Sequence, residues 1–123
     1  TGSDRLLRAL HRNHTVADAY HAAEAIVAGG LRPVVDLIFG LPGEEADDVA
    51  ATLRLMEDLV DRGAVLHTHT FMPLPGTPLE DAPPGKVDSA LHPRLDRLAS
   101  QGHQIGQWRT QEEIARRTVH GTA

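Results

Sequence analysis

Cysteine does not occur anywhere in the 123-residue sequence, so this chain can form no disulfide bond and no thiolate metal site. Aromatic residues are also scarce, at 3%, and a hydrophobic core must therefore be built mainly from alanine, valine, leucine and isoleucine. No apolar run approaches the ~18 residues that a membrane-spanning helix requires. The sequence therefore predicts an aliphatic core and no membrane partner.

Clusters of lysine and arginine are absent as well, and the formal net charge is −5 with neutral histidines. Nucleic-acid-binding surfaces concentrate basic residues, so we expect no nucleic-acid contact from this segment. The first residues, 1–4, have the chemistry of a helix start rather than that of a signal peptide, which makes the cytoplasm the default location.

The length suits one domain, and we interpret residues 1–123 as a single domain. The sequence begins without methionine and opens as if inside a structural unit. We therefore expect it to be a fragment of a longer protein.

Capping residues and hydrophobic spacing predict alternating helices and strands. Ser3 and Thr15 are suited to cap the first two helices, and Asp18 is placed to favour the second helix dipole. Apolar runs mark the strands, and a proline-rich segment marks a surface loop. The predicted elements are helices at 3–12, 15–29, 45–62, 91–101 and 107–118, strands at 33–39 and 64–71, and a loop at 79–90.

This order predicts an α/β fold made of parallel βα units, because strands that alternate with helices are joined by right-handed crossovers. The first strand is apolar on both faces, which predicts that both are covered. Two strands are too few for a finished sheet, so we expect an open edge that either joins a larger barrel or mediates self-association.

Asp36 is the one charged residue in the apolar run at 34–39, which a Gly-Leu-Pro-Gly-Glu turn follows. A buried unpaired carboxylate is costly, so its presence indicates a task. The carboxyl ends of such strands are where α/β folds bind ligands. A phosphate cradle at Gly40 and Gly43 is disfavoured, because the following helix start is crowded with carboxylates.

His67 and His69 are two residues apart in the second strand, so their rings lie on one face. Such a pair can chelate a metal, but the sequence fixes no carboxylate or third histidine beside it. We therefore assign no metal ligands from the sequence and expect packing or hydrogen-bonding roles. A small metal-dependent enzyme using both histidines is the weakest of the alternatives.

Three segments resemble motifs of radical S-adenosylmethionine enzymes and occur in that superfamily's order and spacing. Residues 36–44 resemble the fifth-strand motif, and residues 1–12 with Thr15 resemble the end of the fourth strand and its helix. Residues 72–78 are similar to the sixth-strand exit of methylthiotransferases and oxygen-independent coproporphyrinogen oxidases. Residues 106–113 loosely resemble cobalamin-binding members.

The resemblance implies a partial (β/α)6 barrel of the TIM type, in which a [4Fe-4S] cluster on three cysteines reduces S-adenosylmethionine. The cluster loop follows the first strand, and the segment that binds the methionine amino group follows the second. This chain has neither. It would be the C-terminal part of the core, with residues 1–80 as the matched barrel half and 91–118 as C-terminal helices. It would need the N-terminal half as its partner and would be inactive alone. The loose match at 106–113 leaves cobalamin open as a further cofactor of the parent protein.

The resemblance also implies roles for four residues. Asp36 would hydrogen-bond the S-adenosylmethionine ribose, and Arg12 would pair with the methionine carboxylate. Ile38 would form a wall for adenine, which Met72 would contact largely through its backbone. Plainer alternatives stay open: Asp36 bonded to neighbouring backbone, Arg12 favouring a helix C-terminus, and Ile38 as a core residue.

A second hypothesis comes from a different class of function. The chain would be a non-catalytic α/β module that binds a partner or a second copy through its open sheet edge, since unpaired strands invite pairing.

Overall fold

A computed structural model describes residues 1–120, with the side chains described to residue 117. Its centre is a three-stranded parallel sheet in the order β1-β2-β3. The predicted parallel α/β class is therefore confirmed. The elements in chain order are α1 (Asp4–Ala9), α2 (Val16–Ala28), β1 (Val34–Phe39), α3 (Ala46–Asp61), β2 (Val65–Thr70), a 3-10 turn (Ser89–Leu91), α4 (His92–Ser100), β3 (Gln104–Ile105) and α5 (Trp108–His120).

The helix starts follow the predicted capping chemistry. The Ser3 side chain accepts a hydrogen bond from the Leu6 N–H at 3.2 Å, and Thr15 forms a capping box with Asp18. Both arrangements satisfy N–H groups that the first helical turn leaves unpaired. None of the helices within residues 1–120 is long and apolar enough to cross a membrane.

The first helix is shorter than predicted. It ends at Ala9 rather than Arg12, because His11 adopts a left-handed backbone conformation with φ of 56°. Arg12 therefore lies beyond the helix, and its backbone N–H donates to the Leu7 carbonyl at 2.9 Å.

The sheet contains a third strand that the sequence did not predict. Leu66 and His67 of β2 pair with Gln104 and Ile105 of β3. A two-residue strand leaves no periodic signal. It is joined to β2 by the Leu66 N–H, which donates to the His103 carbonyl at 2.8 Å, and by the Thr68 hydroxyl, which donates to Gln104 Oε1 at 2.9 Å.

The two faces of the sheet differ, and the expectation that both faces of the first strand are covered is wrong. Leu37 and Phe39 are buried, whereas Val34 is 57% exposed and the Asp36 side chain 71% exposed. Leu37 and Phe39 belong to one mainly aliphatic core, whose two aromatic members are Phe39 and Trp108. The core contains Ala23, Leu37, Phe39, Leu55, Met56, Leu59, Ala64, Leu66, Val87, Leu91, Leu95 and Trp108.

The proline-rich segment after β2 is not wholly a surface loop. Val87 is fully buried in the core, and Gly85 donates its N–H to the Phe71 carbonyl at 3.0 Å. Gly40, in the turn after β1, has φ of 74°, and a Cβ there would lie 2.5 Å from the Lys86 backbone nitrogen. The segment thus crosses directly over the carboxyl ends of β1 and β2.

A buried carboxylate joins the N-terminal segment to α3. Asp48 accepts hydrogen bonds from the Ser3 hydroxyl and the Arg5 guanidinium, and from the Glu45 backbone N–H at 2.8 Å. The Arg5 hydrogen bond is the main cause that lowers the Asp48 pKa to about 2. Nearby, the Gly2 N–H donates to Thr52 Oγ1 at 2.8 Å. These contacts fix the segment that leads toward Arg12.

We expect Asp48→Asn to lower the free energy of unfolding by about 1 to 2 kcal/mol at pH 7, allowing for the half-exposed Arg5 partner. Because the folded pKa is depressed, this stabilisation is present above about pH 4 and is lost as the pH falls toward 2. Urea unfolding across this range measures the difference. The neighbouring exposed Asp47→Asn is the control and should change stability by less than about 0.5 kcal/mol. A pH-independent difference between Asp48→Asn and the parent chain would contradict the ion-pair account.

Gly40→Ala tests the crossing of the loop over the sheet. The substitution adds both positive-φ strain and an overlap with the Lys86 backbone, so we expect a loss of more than about 2 kcal/mol. Gly30 is the matched control, because its φ is 81° and no atom lies within 4 Å of the position that a Cβ would take. Gly30→Ala should cost only the strain, about 1 kcal/mol. If thermal unfolding shows equal losses of stability for Gly40→Ala and Gly30→Ala, the Lys86 backbone does not pack closely against Gly40.

Candidate functional site

The carboxyl ends of β1 and β2 open into a cavity of about 520 Å³. All four residues singled out in the sequence line it: Arg12, Asp36, Ile38 and Met72. They come from three separate parts of the chain, and the βα topology brings them together. The remaining lining residues lie mainly along β2 and its exit, with one from α5: His69, Thr70, Phe71, Leu74 and Gln111.

Two further cavities adjoin this one, with volumes of about 430 and 460 Å³. Arg12 and Phe71 line all three, so the three hollows form a continuous surface around these side chains. Each volume falls in the range typical of small-molecule sites. The surface is mostly apolar. Among the residues that line the 520 Å³ cavity, Arg12 and Asp36 carry the formal charges.

Asp36 lies on the open face of β1, so the expectation of a buried carboxylate is wrong. Its Oδ1 lies 2.9 Å from His67 Nδ1 and 3.3 Å from His69 Nε2. Within residues 1–120 its carboxylate contacts these rings rather than backbone groups. The parallel register explains the meeting, because Asp36 pairs with His67, and Ile38 with His69, across the two strands.

His69 connects this cluster to the last helix. Its Nδ1 lies 3.4 Å from Gln111 Nε2, and the Gln111 Oε1 accepts the Thr70 backbone N–H at 2.9 Å. The Thr70 hydroxyl donates to the Trp108 carbonyl at 2.7 Å. The start of α5 is thereby held against the end of β2, next to the cavity.

Arg12 is exposed at the edge of the cavity. Its guanidinium makes no ion pair within the described part of the chain. A guanidinium with free donors is well shaped to bind a carboxylate or another planar anion. The side chain is therefore available to a ligand in the cavity.

The apolar part of the site is held by backbone contacts. Ile38 and Met72 are half-buried and face the same cavity. The Phe71 N–H donates to the Phe39 carbonyl at 2.8 Å, which fixes the chain immediately before Met72. Pro73 follows and restricts the backbone further.

Sequence reasoning missed two lining residues with strong structural roles. Phe71 lines all three cavities, and it could have been found from its position at the end of the second strand. Gln111 had no local signal, because its contact with His69 depends on how α5 packs against β2.

Known proteins similar to this chain include radical S-adenosylmethionine methylthiotransferases. The tRNA-2-methylthio-N(6)-dimethylallyladenosine synthase of Saccharophagus degradans is 36% identical over 99% of this chain. The protein with the same name from Pseudomonas aeruginosa is 33% identical over 99% of it. An uncharacterised protein of Methanopyrus kandleri, MK0932, is 36% identical over 69% of it.

The chain spans only part of these relatives, 26% of the length of each of the two synthases and 16% of the Methanopyrus protein. No family model matches the chain, and no solved structure matches it. The predicted resemblance to methylthiotransferases is confirmed by the homologues, whereas they give no support to the loose match with cobalamin-binding proteins.

The homologues imply S-adenosylmethionine and a [4Fe-4S] cluster in a parent protein. Iron–sulfur clusters are held by cysteine thiolates, and this chain contains no cysteine. Its residues therefore do not fit the cluster. The cavity combines an exposed carboxylate, apolar walls and a guanidinium that has no ion pair among the described side chains, a set of groups that suits a small polar ligand.

Proposed function

We propose that this chain is the C-terminal part of a radical S-adenosylmethionine enzyme core, with the homologous methylthiotransferases as the nearest class of activity. The observation that carries the proposal is the shared cavity of Arg12, Asp36, Ile38 and Met72. The chain would supply the ribose, carboxylate and adenine contacts, and another segment would supply the cluster. It would therefore be inactive alone.

Asp36 would bind the ribose. An ionised carboxylate accepts hydrogen bonds from two hydroxyls without needing a partner cation. The Oδ1 atom faces the histidines, while the side chain as a whole is 71% exposed and accessible from the cavity. The His67 and His69 rings would hold the carboxylate in one orientation while it accepts hydrogen bonds from the sugar hydroxyls.

Arg12 would pair with the methionine carboxylate, because its guanidinium lines the same cavity and has no internal anion within the described residues. Ile38 would pack against the adenine ring. The backbone at Met72, fixed by Pro73 and by the Phe71 N–H bond to Phe39, would contact the edge of the base.

The exposed sheet face would be the inner face of a partial (β/α)6 barrel. Polar Asp36, His67 and His69 on this face suit a ligand-binding interior, whereas the opposite face is the aliphatic core. An N-terminal barrel half would be the partner that completes the barrel. The relatives are named for a tRNA nucleoside. Because this segment is acidic, we propose that any RNA contact lies outside it. We also propose that the parent protein is cytoplasmic.

Nucleoside binding by the isolated chain tests this proposal. We expect S-adenosylhomocysteine to bind weakly, with a dissociation constant in roughly the millimolar range, because only part of the site is present. In amide NMR spectra, the shifts should concentrate at Asp36, Ile38 and Met72. Shifts confined to another surface, or micromolar affinity, would contradict the divided site.

Two ligands and two variants separate the roles of the charged residues. Arg12→Ala should weaken S-adenosylhomocysteine about tenfold but leave 5′-methylthioadenosine unchanged, since the latter has no carboxylate. Asp36→Asn should weaken both ligands. Arg8→Ala, on α1, is the control and should affect neither. Equal effects of Arg12→Ala on both ligands would contradict its pairing with the carboxylate.

A second candidate function is self-association without catalysis. Val34 is 57% exposed on β1, an outer strand of the sheet, and such an edge can pair with another chain. Light scattering coupled to size exclusion should then show a dimer that Val34→Lys dissociates. A monomer at all concentrations would contradict this candidate and leave the cofactor site as the better account.

A further inference from the structure

Three potential metal ligands meet on the open face of the sheet. Asp36 projects from β1, and His67 and His69 project from β2, and one donor atom from each lies within 4.8 Å of the others. We propose that these three side chains bind a single divalent first-row transition-metal ion such as Zn²⁺ or Co²⁺. The structure thus adds a carboxylate to the histidine pair, which the sequence alone did not place there.

The distances suit one ion after small side-chain rotations. His67 Nδ1 and His69 Nε2 lie 2.9 and 3.3 Å from the same carboxylate oxygen, Asp36 Oδ1. Zinc binds imidazole nitrogen and carboxylate oxygen at about 2.0 to 2.2 Å, so donor atoms in a tetrahedral site lie roughly 3.3 to 3.5 Å apart. Two imidazoles and one carboxylate also leave coordination positions open for water or an external ligand.

The backbone fixes the arrangement before any ion arrives. The parallel register places Asp36 directly opposite His67, and the ring centroids of His67 and His69 are 4.3 Å apart. The three side chains are 71%, 40% and 30% exposed, so an ion can reach them from solvent. Arg12 borders the same cavity and opposes a cation, while the Asp36 carboxylate favours it.

Gln111 contacts the His69 ring on the side away from Asp36 and gives the proposal a distinctive test. Its amide nitrogen lies 3.4 Å from His69 Nδ1, an arrangement that favours a proton on Nε2, the nitrogen facing Asp36. Metal binding requires the opposite tautomer, with Nε2 free and Nδ1 carrying the proton. A carboxylate in place of the amide would accept that Nδ1–H and strengthen the site.

The test uses the untagged 123-residue chain after removal of bound metal. Titration with Co²⁺ is expected to give visible absorption bands that saturate at one equivalent and that Zn²⁺ abolishes by displacement. His67→Gln and His69→Gln should each weaken binding at least about tenfold, and Gln111→Glu should tighten it about tenfold. His21→Gln, on the exposed surface of α2, is the matched control and should have no effect.

The absence of saturable binding, or binding that His67→Gln and His69→Gln leave unchanged, would overturn the proposal. Circular dichroism checks that the variants fold. If either histidine variant unfolds, NMR of the unmodified 123-residue chain replaces it. Co²⁺ should broaden the ring signals of His67 and His69 before those of any other histidine. Earlier broadening of another histidine would overturn the proposed site. No nucleoside is added, so failure here leaves the proposed S-adenosylmethionine site untouched.

Discussion

Parallel pairing between β1 and β2 is the constraint on which the rest of this structure depends. The six-residue register from Val34 opposite Val65 to Phe39 opposite Thr70 sets which side chains share a face. One face becomes an aliphatic core, and the other gathers Asp36 with His67 and His69. A shift of one residue would exchange the two faces, so burial of Leu37 and Phe39 also fixes the polar cluster.

The cavity depends on two connections that hold the strand ends in place. The segment at 85–87 crosses the carboxyl ends of both strands, where Gly40 allows backbone to approach backbone. On the other side, Asp48 holds the N-terminal segment against α3 and so determines where Arg12 emerges. The binding surface is therefore built by loops, and the sheet provides the rigid support beneath them.

Much of the fold could be predicted from local sequence signals. The caps at Ser3 and Thr15, the apolar run of β1 and the periodicity of the long helix are local features, and the structure confirms them. The end of α1 was misplaced because the left-handed conformation of His11 leaves no pattern in the sequence. The short β3 could not be predicted, because a strand of two residues has no hydrophobic periodicity.

The sequence names four residues that line one cavity, but it does not reveal what surrounds them. Asp36 is marked by its place as the one carboxylate in an apolar strand, and Arg12 by a resemblance in motif. The structure places both in one cavity. The sequence could not show that Asp36 is exposed, since burial of a strand face depends on what packs against it. Nor could it show the meeting of Asp36 with both histidines, because that contact depends on the pairing register of strands about 30 residues apart, roughly the span of one βαβ unit.

The central claim is that the Asp36 carboxylate binds the sugar of a nucleoside cofactor. A crystal structure of this chain soaked with S-adenosylhomocysteine tests it most directly. We expect the ribose hydroxyls within about 3 Å of the Asp36 carboxylate, with the amino-acid end toward Arg12. A nucleoside bound outside this cavity, or with its ribose away from Asp36, would contradict it.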